Sequence, residues 1–308
     1  MKKNWMYIII GIIIVYIAGY YIYKGSHTSS STMSKTGTIN VVAAENFYGD
    51  IAAQLGGNHI HLTSILSDPN VDPHEYEPTV QDGVVVSHAD IVIENGDEYD
   101  TWMDKLLSSS PSQHRTVITA SDVAPRKLPD NPHLWYGVDN VQTIATSITN
   151  TLKSDDPANA AYYAQNLATF TASLKQIQQK LDTIKASYSG TPVALTETIF
   201  LYQTQQMKLN VLTPLAFEQA IAEGNDPSAD DVARTNDQIT SNQAKVLIYN
   251  EQTVTPITTN LLNDAKQHNI PVVPVTETMP KNTHYQKWML AQLTDLQQAL
   301  ASTTSPKQ

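Results

Sequence analysis

The sequence predicts an α/β protein of two lobes, each with a mostly parallel sheet of about four strands, joined by one long helix and preceded by a transmembrane helix. Three observations carry that expectation. Short apolar, β-rich runs alternate with helical patterns from residue 38 to the C-terminus; one amphipathic pattern near the middle outlasts an ordinary helix; and an uncharged apolar run stands at the N-terminus.

The N-terminal run, Trp5 to Tyr23, follows Lys2 and Lys3 and contains no charge. As a helix it spans roughly 28 Å, close to a bilayer core. The basic residues ahead of it set the N-terminus in the cytoplasm and the rest of the chain outside. Its exit, Ala18-Gly19-Tyr20-Tyr21, is a poor cleavage site, so the run is expected to stay as a signal anchor (residues 1–24). Residues 25–37, rich in Ser, Thr and Gly, form a tether.

In the first lobe, 38–155, strands are expected at 38–45, 59–66, 90–96 and 115–120, with helices at 46–57 and 79–89 between them. In the second, 189–308, strands are expected at 191–197, 209–215, 244–250 and 270–277, with helices at 228–241, 253–269 and 284–300. The segment 156–188 opens on Asp-Pro and has an apolar stripe at Ala161, Leu167, Phe170, Leu174, Ile177, Leu181 and Ile184. A single helix crossing from lobe to lobe explains its length, and such a linker resists wide hinge bending.

Composition narrows the chemistry. The 30 acidic against 19 basic residues, a formal charge of −11, argue against nucleic acid, whose phosphates need clustered Lys and Arg. With no cysteine in the sequence, thiol nucleophiles, disulfides, zinc–thiolate and iron–sulfur sites are excluded, and any metal site must use imidazole and oxygen.

Four residues fall at the C-terminal ends of expected strands, the edge where open α/β sheets bind ligands. His74 lies in Asp72-Pro73-His74-Glu75-Tyr76-Glu77-Pro78, His133 follows Pro132, Glu197 ends one strand and Glu277 another. Two neutral imidazoles with two carboxylates make a charge-neutral site for a divalent ion, Mn2+, Zn2+ or Fe2+. Each residue alone also has an ordinary reading: a solvated turn histidine, or a carboxylate near a helix cap. The other histidines, 27, 59, 61, 88, 114, 268 and 284, form no His-rich tract.

These motifs, together with "VVAAENFYGDIAAQLGG", "ADIVIENGDEYDTWMDKLL", "NPHLWY", "NDPSADDVA", "KVLIYNEQ" and "VTETMPKNTHYQKWML", resemble the metal-binding substrate-binding proteins of ABC importers, zinc/manganese cluster. The resemblance runs through nearly all of 38–300. It implies a non-enzymatic, monomeric cell-surface carrier that captures a divalent metal between its lobes and delivers it to a permease with its ATPase. It also implies His74 and His133 as the first two ligands and Glu197 as the third, where zinc-type members usually carry His. Glu277 would be the fourth, where Asp is common. The third position and the missing His-rich loop favour Mn2+, with Zn2+ next. Gram-positive relatives usually use a lipidated cysteine, whose place the apolar N-terminal helix would take.

Three other readings stand beside it. A secreted zinc metallohydrolase would use similar ligands, but the sequence has neither a helical H-E-x-x-H nor a G-x-S-x-G motif. A surface adhesin of the same fold is compatible, with nothing in the sequence speaking for it. Binders of siderophores or corrinoids share the helix-linked architecture but lack the histidine pair.

Overall fold

Parallel strands buried on both faces read as unbroken apolar runs, and the first strand does so: β1, Ile39–Glu45, is Ile-Asn-Val-Val-Ala-Ala-Glu, almost wholly buried. The computed structural model describes residues 37–68, 71, 73 and 76–304. The expected signal anchor, most of the tether, and His74 lie outside them.

The N-terminal sheet adds β2 (Ile60–Leu66), β3 (Ile91–Glu94) and β4 (Thr116–Thr119), all parallel, in the order β2-β1-β3-β4. The C-terminal sheet contains β5 (Pro192–Leu195), β6 (Asn210–Val211), β7 (Leu247–Asn250) and β8 (Val272–Val275), again parallel, ordered β6-β5-β7-β8. The fold class of two parallel four-stranded sheets is therefore as the sequence predicts.

Helices lie between and after the strands. They are α1 (Asn46–Gly56), α2 (Val80–Ser87), α3 (Thr101–Ser109), the single turn α4 (Ala120–Val123), α5 (Val138–Asp155), α6 (Ala160–Tyr188), α7 (Leu201–Met207), α8 (Leu215–Ala222), α9 (Ala229–Thr240), α10 (Pro256–Gln267) and α11 (Tyr285–Thr304). Local chemistry fixes several starts. Thr79 and Asp82 close a capping box on α2, Ser228 accepts from the Asp231 amide at α9, and Thr255 caps α10, with Pro256 at its first position.

Several elements depart from the sequence expectation, in which the short helices α3, α4, α7 and α8 have no counterpart. The strand expected over 209–215 is only Asn210–Val211, because Pro214 cannot donate to a ladder and instead caps α8. Pro256 likewise delays α10, which the pattern started at 253. Helix α5 escaped the reading because "TIATSITNTL" is rich in β-branched residues; its buried Val141, Ile144, Ala145, Ile148 and Leu152 nonetheless share one face.

The long helix α6 buries Tyr163, Phe170, Leu174, Ile177, Leu181 and Ile184. Ala161, expected in that stripe, is exposed; Tyr163 takes the place, its hydroxyl donating to Asp156 Oδ2 at 2.7 Å. Helix α6 packs on α1 and α5 of the first sheet and on α7 and α11 of the second. The described residues form one compact unit, and one hydrophobic cluster runs from Ile39 to Leu300 through both halves. Reciprocal bonds tie the halves at Asn46 and Met279, where Asn46 Nδ2 donates to Met279 O (2.7 Å) and the Met279 amide to Asn46 Oδ1 (3.0 Å).

Candidate metal centre

The loops leaving the C-terminal ends of the two sheets face each other, and three of the four expected ligands meet there. One ligand atom from each of His133, Glu197 and Glu277 lies within 4.8 Å of the others. All three residues are buried, at most 1% exposed. His74, the fourth, falls outside the described residues, but Val71 of the same loop is placed: its carbonyl accepts from Gln252 Nε2 at 3.2 Å.

His133 follows Pro132 and opens the short turn Leu134–Tyr136. Its orientation is set by Asn131. Asn131 Nδ2 donates to Thr198 O at 2.8 Å, so Oδ1 is the acceptor, and it receives both the His133 amide (3.1 Å) and Nδ1 (2.9 Å). The ring proton therefore resides on Nδ1, and the Nε2 lone pair faces Glu277 Oε2 at 3.9 Å. Tyr99 and Trp135 wall the ring with edge-on contacts, centroids 5.9 and 5.3 Å away.

Glu197 sits just past β5, where the extended backbone turns into Thr198–Phe200. Its Oε2 accepts the Ile199 amide at 2.9 Å, while Oε1 has no hydrogen-bond partner. Burial, and next the Glu277 charge, push its pKa well above the ordinary carboxylate value, against the pull of the Ile199 amide, the Thr198 hydroxyl and the Asn250 side chain.

Glu277 leaves β8 and is held at both carboxylate oxygens and at its amide. Oε1 accepts from Asn250 Nδ2 (2.8 Å) and Thr253 Oγ1 (3.3 Å), Oε2 from Tyr99 (3.1 Å), and its amide donates to Gln252 Oε1 (2.6 Å). Asn250 ends β7 in "LIYN", so two adjacent strands of the second sheet cooperate to aim one carboxylate.

Tyr99 is presented by a tight turn after β3. Asp100 accepts the amides of Asn95 (2.6 Å) and Gly96 (2.8 Å), and Gly96, Asp97 and Glu98 all take positive φ. Burial raises the Asp100 pKa to about 6 despite those amides, and Glu45 beside it is also pushed well above the ordinary carboxylate value by burial and the Asp100 charge. The same turn lines a cavity of about 480 Å³ between the halves, whose acidic wall is Asp97, Glu98, Asp130 and Glu223 and which His133 also lines. Negative lining of this kind raises the local concentration of cations.

Tyr99, Asn131, Asn250 and Gln252 escaped sequence reasoning as site residues. Each lies inside a quoted motif, but orienting a ligand leaves no spacing signature of its own.

The family follows from comparison. The profile of the zinc-uptake complex component A, periplasmic, matches residues 41–299. The chain belongs to that family. Its members are components of uptake complexes and not enzymes. The chain is 30% identical over 168 residues to the metal ABC transporter substrate-binding lipoprotein ScbA of Streptococcus cristatus, covering 50% of this chain and 54% of that protein. It is 29% identical over 164 residues to the manganese ABC transporter substrate-binding lipoprotein PsaA of Streptococcus pneumoniae, covering 49% and 53%. The chain thus spans about half the length of the curated relatives it matches. The periplasmic zinc binding protein TroA from Treponema pallidum shares the fold with a TM-score of 0.74 at 17% identity, over 86% of this chain and 99% of that one.

Proposed function

We propose that the protein is the extracellular metal-binding component of an ABC importer. It captures a divalent transition-metal ion between two lobes and passes it to a permease driven by its ATPase. The observation that carries this is the convergence of His133, Glu197 and Glu277, buried, from loops of both sheets.

In this reading His74 is the fourth ligand. The bond from Gln252 to Val71 supports that, since the same Gln252 holds the Glu277 amide and Val71 stands three positions before His74 in sequence. The lobes are 38–155 and 189–308, with 156–188 as the linking helix. Mn2+ is the favoured cargo and Zn2+ the next, with Fe2+ behind them. Two carboxylates suit Mn2+, whereas intrinsic affinity for a mixed nitrogen–oxygen set rises towards Zn2+.

The chain's residues would act as follows. Asn131 keeps the His133 proton on Nδ1 and the lone pair on Nε2; Glu197 gives up its proton as the ion arrives; and Tyr99 and Asn250 hold Glu277 in place. The acidic cavity that His133 lines is the way in. Residues Trp5–Tyr23 anchor the protein in the plasma membrane with the N-terminus in the cytoplasm and the chain after Lys24 outside, and the protein works as a monomer. N-terminal sequencing of membrane-fraction protein tests the anchor, since a mature chain starting near Lys24 would refute it.

The binding test uses the full chain stripped of metal and titrated with Mn2+ and Zn2+ by calorimetry. One tightly bound ion is expected, with His74→Ala and His133→Ala each weakening it at least 100-fold. Absence of tight binding by either metal would end the importer reading.

A further inference from the structure

A further cavity opens on the first sheet, at the edge opposite the candidate metal centre. Its volume is about 190 Å³, and His61, His88, Asn40 and Thr63 line it together with Val42 and Val84. Strand register explains how separate segments meet there. Asn40 on β1 pairs with His61 on β2, and Val42 with Thr63, so alternation turns all four to one face of the sheet. Val42 packs on that face with Val86 of α2, and α2 ends at His88. Two residues later the chain rejoins the sheet: the Asp90 amide donates to the Asn40 carbonyl at 2.9 Å, and Asp90 Oδ2 accepts the Asn40 amide at 3.0 Å. Asn40 and Glu45 stand near opposite ends of β1, roughly 17 Å apart at about 3.3 Å per residue.

The imidazole of His88 is oriented as a ligand is. Its Nδ1 lies 2.8 Å from the Val84 carbonyl, which can only accept, so the ring proton resides on Nδ1 and the lone pair on Nε2. Ser87 Oγ, 3.1 Å from the same nitrogen, donates to that carbonyl at 2.7 Å. His133 is held in the same way through Asn131, and metal-bound histidines typically commit their second nitrogen like this. The bond alone is an ordinary helix cap, as His268 shows with Asp264 O at 2.8 Å on α10. The second histidine on the same cavity makes the difference. Neither ring nitrogen of His61 has a hydrogen bond among the described residues, and the side chains of Asn40 and Thr63 have none either. Both histidines are exposed, so an ion reaches them directly from solvent.

We infer that His61 and His88 form a second metal position, on the first lobe and remote from His133, Glu197 and Glu277. Its charged-ion donors are neutral imidazoles with no carboxylate among the residues lining the cavity, so it takes a borderline ion, Zn2+, and discriminates against Mn2+. Two protein ligands leave the remaining positions to water or to the amide oxygen of Asn40. The site is therefore weaker than the buried one, and its occupancy follows free Zn2+ outside rather than the cargo.

The test counts ions on the metal-stripped full chain by equilibrium dialysis with elemental analysis. Two Zn2+ are expected, the second bound at least tenfold more weakly, against one Mn2+. His61→Ala and His88→Ala should each lose the weaker Zn2+ and keep the tighter one; His133→Ala should do the reverse. Acylation of histidines by diethyl pyrocarbonate, mapped by mass spectrometry on the unsubstituted chain, supplies a readout that no variant can confuse. Saturating Zn2+ should shield His61 and His88 while His114 continues to react, and Mn2+ should shield neither. Unchanged reaction of His61 and His88 in Zn2+, or a second Zn2+ that survives both alanine substitutions, overturns the outer position. One Zn2+ per chain that only His133→Ala removes overturns it too and leaves the carrier function standing. One Zn2+ per chain that His61→Ala removes and His133→Ala does not upholds the outer position and ends the carrier reading.

Discussion

The hydroxyl of Tyr99, from the turn after the third strand of the first sheet, donates to Oε2 of Glu277, in the loop after the last strand of the second, at 3.1 Å. One hydrogen bond thus joins the two halves at the atom that also faces His133. Groups that orient a metal ligand typically contribute 10- to 100-fold in affinity. Tyr99→Phe should therefore weaken Mn2+ and Zn2+ binding by about tenfold with little loss of fold stability, measured by competition with a chelator. Unchanged affinity would show that Asn250 and Thr253 position Glu277 without help.

Asn131 holds both the tautomer of His133 and the carbonyl of Thr198. Asn131→Ala removes both and leaves the buried Thr198 carbonyl without that donor, a loss of about 1–3 kcal/mol. Thermal unfolding should reveal it without metal, and affinity should also fall because the ring can take the other tautomer. Asn131→Asp keeps the acceptor but loses the donor, so it should recover affinity more than stability.

Glu197 holds its proton above the ordinary carboxylate range because of burial and the Glu277 charge. An ion bound there must displace that proton. Binding just above the ordinary carboxylate range should therefore release protons, and the calorimetric enthalpy should vary with the ionisation enthalpy of the buffer. Affinity should rise with pH across the same range. In Glu197→Gln the buffer dependence should shrink, and an unchanged dependence would assign the proton elsewhere.

Asp100 and Glu94 set a pH dependence of stability apart from the metal. Asp100 rises from an ordinary 3.8 to about 6, by burial above all, and Glu94 from 4.5 to about 7, by burial and then by the Asp100, Asp104 and Asp122 charges, against the Thr119 hydroxyl. A carboxyl with a raised native pKa binds more protons folded than unfolded between the two values. Stability therefore falls as pH rises through that window, from about 4 to about 7. Asp156 is shifted the other way, so its contribution is lost only below its ordinary 3.8 and does not mask the effect. In chelator, the unfolding midpoint should drop by roughly 5 °C between pH 4.5 and 7.5. Glu94→Gln should flatten part of that slope.

Much of this was legible from spacing. Strand ends were marked by the switch from apolar run to turn residues, which is why His133, Glu197 and Glu277 could be named before their geometry was known. Glu277 in "VPVTE" and the proline-fixed His133 after the fourth strand were candidates by position, and their joint placement with the family resemblance made them expected ligands. What stayed hidden depends on packing between distant segments. Tyr99 is an ordinary turn tyrosine until the second sheet brings Glu277 to it. Helix α5 was missed for a different reason, since its β-branched composition contradicts the conformation that burial imposes.

The turn from Asn95 to Asp100 combines several duties in six consecutive residues. Asp97 and Glu98 face the mouth of the cavity, Tyr99 reaches across to the opposite half, and Asp100 pins the backbone to its own start. Evolution can edit such a segment by substitution but not by insertion or deletion, since one residue more or less would misplace all of these contacts together. Among relatives that handle metal in the same way, the length of this turn should be invariant, while the residues at 97 and 98 drift as long as they keep their charge.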